Sequence, residues 1–252
     1  MVVSNAGMRI LPSRTGLVAG LLSLTALHPD PYPSVNPESS LETGRIVGTV
    51  EISSALTARR PRFRVYSDVG AGSVPASRQA TDVMGEMRNV VVYVETEPAA
   101  SDGSTPATSV MAQVNERFDP HVLPIVQGTR VEFPNRDDVY HNVFSLSSAR
   151  TFDLGRYPKG SSKSVVFGKP GIVQIFCHIH SDMSAVVVVT PNPFFASPDS
   201  SGRYVIDRVP PGEYTIVGWH ERTKPAVQKV RVVAGQTTTI DFSLPLSPRV
   251  DR

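Results

Sequence analysis

The sequence predicts an all-β protein built from more than one packing unit. With 252 residues the chain is long enough for one large or two modest domains. Its 18 glycines and 22 prolines are scattered between short runs rich in Val, Ile, Phe and Tyr, the pattern of many short strands divided by turns. No segment after the first 27 residues has the length and apolar period of an ordinary helix. We therefore expect a β-sandwich or barrel joined to a second, small antiparallel β-sandwich.

Residues 1–27 have the order of a secretory signal. Arg9 and Arg14 occur without any acidic residue and precede the apolar run 16–27, which is too short to span a bilayer comfortably. The cleavage position is poorly marked because Leu24 stands where a small residue is preferred. A cleaved signal peptide and a retained N-terminal membrane anchor are both open, and either predicts export to the periplasm or the extracellular space.

The charge balance argues against nucleic acid as a partner. Removing residues 1–27 takes two arginines and no acidic residue from the 25 basic and 23 acidic residues, which leaves the charges equal. The one basic cluster, "RRPRFR" at 59–64, is interpreted as a solvated loop or edge strand rather than a docking patch.

An N-terminal β segment, residues 42–98, follows a Pro/Ser-rich linker at 28–41. Its two strand-like runs are "GRIVGTVEI" at 44–52 and "VVVYVE" at 90–95, separated by a long irregular stretch.

The pattern tightens between residues 109 and 190, which we predict to be one compact sandwich or barrel. It contains seven β-type runs divided by turns: "MAQVNERF", "HVLPIV", "TRVEFPN", "HNVFSL", "SKSVVF", "GIVQIFC" and "AVVVVT". The last run is apolar throughout, so we expect a central strand that is covered on both faces.

A third segment, residues 194–246, resumes the strand pattern after a proline-rich break. Its runs are "GRYVIDRV", "EYTIVGWHE", "AVQKVRVV" and "TTTIDFSL". Alternating apolar and polar residues predict half-buried antiparallel strands, but about 50 residues are few for an independent sandwich.

The only cysteine, Cys177, lies in "CHIHSDM". In an oxidising compartment a single cysteine cannot form an internal disulfide, so it must be buried, reactive or bound. On a continuous strand Cys177 and His180 would face opposite sides, and only a turn can bring them together. The following Ser and Asp favour such a turn, which would also return Met183 to the same point.

A thiolate, an imidazole and a thioether on one short loop match the ligand set of a blue-copper site, which a second imidazole completes. His141 is the natural supplier, because it opens a strand 36 residues upstream. A buried structural cysteine, a Cys/His nucleophilic dyad and a zinc site fit less well. A multicopper oxidase would need further His-x-His pairs, whereas the chain has only His178 and His180.

"HNVFS" followed by "GIVQIFCHIHSDMSAVVVV" resembles the type 1 copper motif of cupredoxins, with a short ligand loop similar to that of amicyanins rather than plastocyanins. The resemblance implies a Greek-key sandwich or barrel that binds one copper. It also implies the site residues: metal ligands His141, Cys177, His180 and Met183, with Met183 the weak axial ligand, His180 the point of electron entry and exit, and Asn142 tying the two ligand loops together. Ser181 departs from the family, whose short loops commonly carry proline there.

The block from 194 to 246 resembles the carboxypeptidase regulatory-like, transthyretin-like sandwich through "GRYVIDRVPPGEYTI" and "VVAGQTTTIDFSL". Such domains usually begin with a strand like "GRIVGTVEI", which here lies at the far end of the chain. Two arrangements are open: the copper sandwich is inserted into the second sandwich, or the units follow one another in series. The resemblance implies packing, attachment or partner binding, and no catalysis.

Together these features predict an exported blue-copper protein, not an enzyme, that carries single electrons between redox protein partners. A copper delivery or sequestration module, or a structural β protein with a vestigial site, are the alternatives. Among the other histidines, we expect His178 to point outward, His121 to lie in a loop near the metal end, and His220 to occupy an exposed strand end.

Overall fold

The computed structural model describes residues 42–52, 83–96 and 108–245. The predicted signal or anchor, the linker and the basic cluster at 59–64 lie outside these ranges. Within them, no helix has both the length and the apolar character needed to cross a membrane.

The described residues form one five-residue helix and eighteen strands. In chain order these are β1 (Gly44–Ile52), α1 (Val83–Met87), β2 (Val91–Val94), β3 (Thr108–Val110), β4 (Ala112–Gln113), β5 (Phe118–Asp119), β6 (Val122–Val126), β7 (Arg130–Pro134), β8 (His141–Ser147), β9 (Arg150–Tyr157), β10 (Ser162–Val166), β11 (Gly171–Phe176), β12 (Ser184–Thr190), β13 (Phe195–Ala196), β14 (Arg203–Val209), β15 (Gly212–Trp219), β16 (Ala226–Val232), β17 (Thr237–Thr239) and β18 (Phe242–Leu244). The protein is therefore all-β, as its composition predicts.

The outer sandwich combines strands from both ends of the described chain. One sheet has the order β14-β1-β17, with β18 also paired to β1, and the other has the order β13-β2-β15-β16. β1 runs antiparallel to β14, with Ile46 opposite Ile206, and β2 runs antiparallel to β15. Of the two arrangements left open by the sequence, the structure has the one in which the central segment is inserted into the outer sandwich.

The central sandwich lies between β2 and β13 in the chain. Its larger sheet has the order β6-β12-β11-β8-β9, its smaller sheet has the order β10-β7-β3, and β4 pairs with β5. The core between them contains Phe133, Phe167, Val143 and Ile175, and Cys177 and Met183 belong to the same cluster. The two candidate sulfur ligands are therefore part of the apolar core of the central sandwich.

β12 is the central strand that its apolar sequence predicts. Ala185, Val187 and Val189 face the central core, while Val186 and Val188 face the outer sandwich. There they join a separate cluster with Val91 and Val122, and with Val217 and Trp219. Burying one such valine or larger side chain contributes about 1.5 to 3 kcal/mol, so this junction joins the two sandwiches firmly.

Two features differ from the sequence-based expectations. The edge strand β9 has few buried residues and includes Gly155 at a φ of 65°, so its apolar pattern is too weak to mark a strand. β17 and β18 both pair parallel to β1, whereas their alternating sequence predicts antiparallel pairing. Alternation reports which face is buried and carries no information about strand direction.

Candidate metal centre

Three candidate ligand side chains converge at one end of the central sandwich. The ligand atoms of His141, Cys177 and His180 all lie within 4.8 Å of one another. The two Nδ1 atoms of the histidines are 3.2 Å apart, and the Cys177 Sγ is 3.9 Å from the His180 Nδ1. His141 is fully buried, Cys177 is 6% exposed, and His180 is half-buried.

β8 and β11 bring His141 and Cys177 together. His141 is the first residue of β8, and it shares a buried face with Val143 and Ser145, as the alternation predicts. β8 pairs antiparallel with β11, with Phe144 opposite Phe176. Continued by one residue, this register places Cys177 opposite Val143, which lies on the same face of β8 as His141.

A tight turn at 177–183 brings His180 and Met183 back towards Cys177. The Met183 N–H donates to the His180 carbonyl at 3.0 Å, and the Cys177 N–H donates to the Met183 carbonyl at 3.2 Å. The chain thus reverses between β11 and β12, as the turn residues predict. Met183 is 1% exposed and packs in the same apolar cluster as Cys177.

Asp137 is a part of the site that sequence reasoning missed. The His141 Nε2 donates to its Oδ2 at 2.8 Å, while main-chain N–H groups of Asn115 and Glu116 donate to its two oxygens at 2.6 and 2.8 Å. Burial raises the pKa of Asp137, but the hydrogen bonds from Glu116, His141 and Asn115 outweigh it, and the pKa lies below its ordinary value. The sequence signal was an acidic residue four positions before the candidate ligand.

Asn142 joins the strand of one ligand to the loop of the others. Its Oδ1 accepts the His178 N–H at 3.1 Å, and its Nδ2 donates to the Asp153 Oδ1 at 2.6 Å. The His178 ring is exposed and stacks on Phe144, with ring centroids 3.7 Å apart and an interplanar angle of 3°. The His178 side chain therefore points away from the group formed by His141, Cys177 and His180, as expected.

The residues present fit a bound metal ion. Because Asp137 accepts the Nε2–H of His141, the Nδ1 lone pair of that ring is directed at the cluster, which is the usual arrangement of a metal-binding histidine. Metal bonds of about 2.0 Å to nitrogen and 2.3 Å to sulfur place ligand atoms roughly 3 to 4 Å apart. The observed separations of 3.2 and 3.9 Å agree with that spacing. Two imidazoles, a thiol and a nearby thioether form a soft donor set that suits copper.

The solved structures that are similar to this chain include cupredoxins. A purple cupredoxin from Nitrosopumilus maritimus is 24% identical over 33% of this chain and 99% of its own, with a TM-score of 0.30. A reduced amicyanin variant is 22% identical over 39% of this chain and 97% of its own, with a TM-score of 0.31. A copper-containing nitrite reductase from Thermus scotoductus SA-01 is 27% identical over 37% of this chain, with a TM-score of 0.32, and the match spans only 25% of the reductase.

The family model of the carboxypeptidase regulatory-like domain matches residues 183–245. This match confirms the resemblance drawn from the C-terminal block. It begins with β12, which the structure places in the central sandwich, and it leaves out β1 and β2, which complete the outer one. No curated protein is significantly similar to the chain.

Two other histidines lie outside the cluster. The Nδ1 of His121 is 3.0 Å from the Ser184 carbonyl oxygen, and its Nε2 is 2.9 Å from Glu221. The expectation that His220 is exposed was wrong: it is fully buried, and its Nε2 is 3.2 Å from an oxygen of Glu86. That partner lies 134 positions away in the sequence, so no local pattern indicated it.

Proposed function

We propose that this protein is an exported carrier of single electrons whose redox centre is one type 1 copper. The observation that carries the proposal is the convergence of His141, Cys177 and His180, with the second nitrogen of His141 already occupied by Asp137. Met183, buried beside Cys177, would be the fourth and weakest ligand. Copper supplies reversible one-electron chemistry when bound.

Electron transfer suits this site better than catalysis. His141 is held by Asp137, the Cys177 N–H and Met183 carbonyl close the loop, and Asn142 joins that loop to β8. Ligands restrained in this way rearrange little when the charge at the centre changes. With four side chains of the protein available as ligands, no coordination position is reserved for a substrate.

His180 is the proposed point of electron entry and exit, because it is the least buried of the three convergent residues. Exposed apolar side chains belong to the same segments: Ile179 is 39% exposed, and Tyr140, next to His141, is 58% exposed. They would form a docking surface for redox protein partners. Export, with residues 1–27 cleaved or retained as a membrane anchor, is part of the proposal.

Copper delivery or sequestration is the second candidate. The two residues between His180 and Met183, Ser181 and Asp182, are both exposed, and Ser181 replaces the proline common in short ligand loops. A loop that opens at this point would favour ion exchange over a fixed ligand geometry. A structural protein with a vestigial site would bind no copper at these residues.

A Cu(II) titration of the chain lacking residues 1–27 tests the proposal, with visible absorption and electron spin resonance as readouts. We expect one copper per chain, an intense blue thiolate charge-transfer band and narrow copper hyperfine splitting. Cys177→Ser should lose both signals, whereas His178→Ala, altered just outside the cluster, should keep them. Reversible voltammetry then tests electron exchange. The electron-carrier function would be overturned if copper bound without the blue band, or if the protein bound only Cu(I) and released it readily to other molecules.

A further inference from the structure

We infer that Glu221, in the outer sandwich, is a positioning residue for the loop at 177–183 of the central sandwich, and that it acts through His121. This loop carries three of the four proposed copper ligands and is called the copper loop below. The inference rests on the proposed function. It assigns the second sandwich a role at the metal centre that goes beyond packing or attachment.

The first link runs from the copper loop to His121. Ser184 follows Met183 directly, and its carbonyl oxygen lies 3.0 Å from the His121 Nδ1. The His121 carbonyl accepts the Val186 N–H at 2.8 Å. Both the main chain and the side chain of His121 therefore hold the start of β12, where the ligand loop ends.

The second link crosses between the sandwiches. The His121 Nε2 lies 2.9 and 3.0 Å from the two carboxylate oxygens of Glu221. The Ser184 carbonyl and the Glu221 carboxylate thus place oxygen atoms within hydrogen-bond distance of both ring nitrogens of His121. The side chains are only 24% and 22% exposed, so water screens this pair less than it screens a surface ion pair.

The third link fixes Glu221 itself. The residues on either side of it, His220 and Arg222, both contact the fully buried Glu86, at 3.2 and 3.1 Å. The Arg222 N–H also donates to the His220 Nδ1 at 3.2 Å, and the Thr223 N–H donates to the His220 carbonyl at 3.2 Å. The turn that carries Glu221 is therefore anchored on both sides of it.

The apolar junction supports the same geometry. Trp219, at the end of β15, packs with Val186 and Val188 of β12 in one cluster. The polar contacts through His121 involve the same two chain segments as this cluster. Glu221 lies two residues after Trp219, and Ser184 lies two residues before Val186. The outer sandwich thus contacts β12 along its length and holds the end at which the copper loop joins it.

The metal-free protein provides a test that does not depend on copper. In Glu221→Ala, amide hydrogen exchange at Cys177 and Met183, whose N–H groups close the loop, should become about tenfold faster. The matched control is Glu213→Ala, at the opposite end of β15 and about 20 Å away along the strand. It removes the same charge from the same sandwich and should leave these two rates unchanged.

Two further variants keep the test decisive. Glu221→Gln retains an acceptor for His121 and should restore most of the protection. A double-mutant cycle with His121→Ala should be non-additive, because Glu221 has no effect on the loop once His121 is gone. Equal exchange rates in Glu221→Ala and Glu213→Ala, or additive effects in the cycle, would overturn the inference.

The copper-loaded protein gives the second readout. Glu221→Ala should shift the reduction potential and the charge-transfer band while still binding one copper, and Glu213→Ala should shift neither. If the unaltered protein shows no thiolate band, the proposed function fails and the exchange experiment alone decides the loop contact. If the band is present but neither it nor the potential responds to Glu221→Ala, only the positioning role is rejected.

Discussion

At the residue scale, the candidate site depends on buried polar groups that are almost fully hydrogen-bonded. Asn142 is 1% exposed, yet its amide oxygen and nitrogen both have partners, the His178 N–H and the Asp153 carboxylate. An unpaired buried group costs about 1 to 3 kcal/mol. The polar residues around Cys177 therefore stabilise one loop conformation as well as place its ligands.

Replacing Asn142 by alanine should lower the free energy of unfolding of the metal-free protein by about 2 kcal/mol, because the His178 N–H loses its acceptor and Asp153 loses a donor. Urea denaturation measures the change. Gln174→Ala, an exposed substitution on the neighbouring strand β11, is the control and should stay within about 0.5 kcal/mol. An Asn142→Ala loss no larger than the control would mean that the amide does not hold the loop.

At the element scale, β1 organises the outer sandwich because three strands pair with it. Between its parallel partners β17 and β18, the chain passes so close to Gly48 that a β-carbon there would lie 1.7 Å from the Ile240 carbonyl oxygen. The Ile240 N–H donates to the Val47 carbonyl at 2.8 Å, which fixes this approach. The run "TTTIDFSL" is split into two strands at this contact.

Gly48→Ala should therefore destabilise the protein by about 3 kcal/mol or more, since the added methyl group meets main-chain atoms that cannot move aside. The matched control is Gly85→Ala in α1, where a β-carbon meets nothing within 4 Å. There the same change should stabilise by about 0.5 to 1 kcal/mol, because alanine favours the helix. The denaturation midpoint should fall in Gly48→Ala and rise in Gly85→Ala. An unchanged midpoint in Gly48→Ala would show that β1 lies further from Ile240.

At the scale of the whole molecule, the two sandwiches share their stability. The outer one cannot form without strands that flank the central one on both sides, and the junction around Trp219 and Val188 buries apolar side chains from each. Cooperative unfolding of both sandwiches follows from this interdependence.

The only tryptophan, Trp219, reports on the outer sandwich, while far-ultraviolet circular dichroism reports on all strands. The two signals should report the same urea transition. Val188→Ala in the central sandwich should lower the free energy of unfolding by about 1 to 3 kcal/mol, whichever signal is used. Val205→Ala, at a position that is 48% exposed, should change the free energy of unfolding by no more than about 0.5 kcal/mol with either signal. Two separate transitions, with the Trp219 signal unmoved by Val188→Ala, would contradict a shared stability.

Features that depend on neighbours along the chain could be predicted from the amino-acid sequence alone. The bounds of β1 coincide with the predicted run "GRIVGTVEI", and β12 is covered on both faces as its unbroken apolar run requires. The turn between Cys177 and Met183 follows from its turn-forming residues, and the ligand types on that loop pointed to His141 as their partner. Alternation, turn chemistry and ligand chemistry are local properties, so one sequence is enough to read them.

Contacts between residues that are distant in the sequence depend on how the two sandwiches fold and pack. Insertion of the central sandwich, parallel pairing along β1, and the partners of His121 and His220, 100 and 134 positions away, have no local signature. A buried ionisable group needs a partner within hydrogen-bond distance, but its sequence neighbours do not indicate which strand will supply that partner. Only the packing of the two sandwiches brings Glu221 to His121, which contacts the start of β12, where the loop at 177–183 ends.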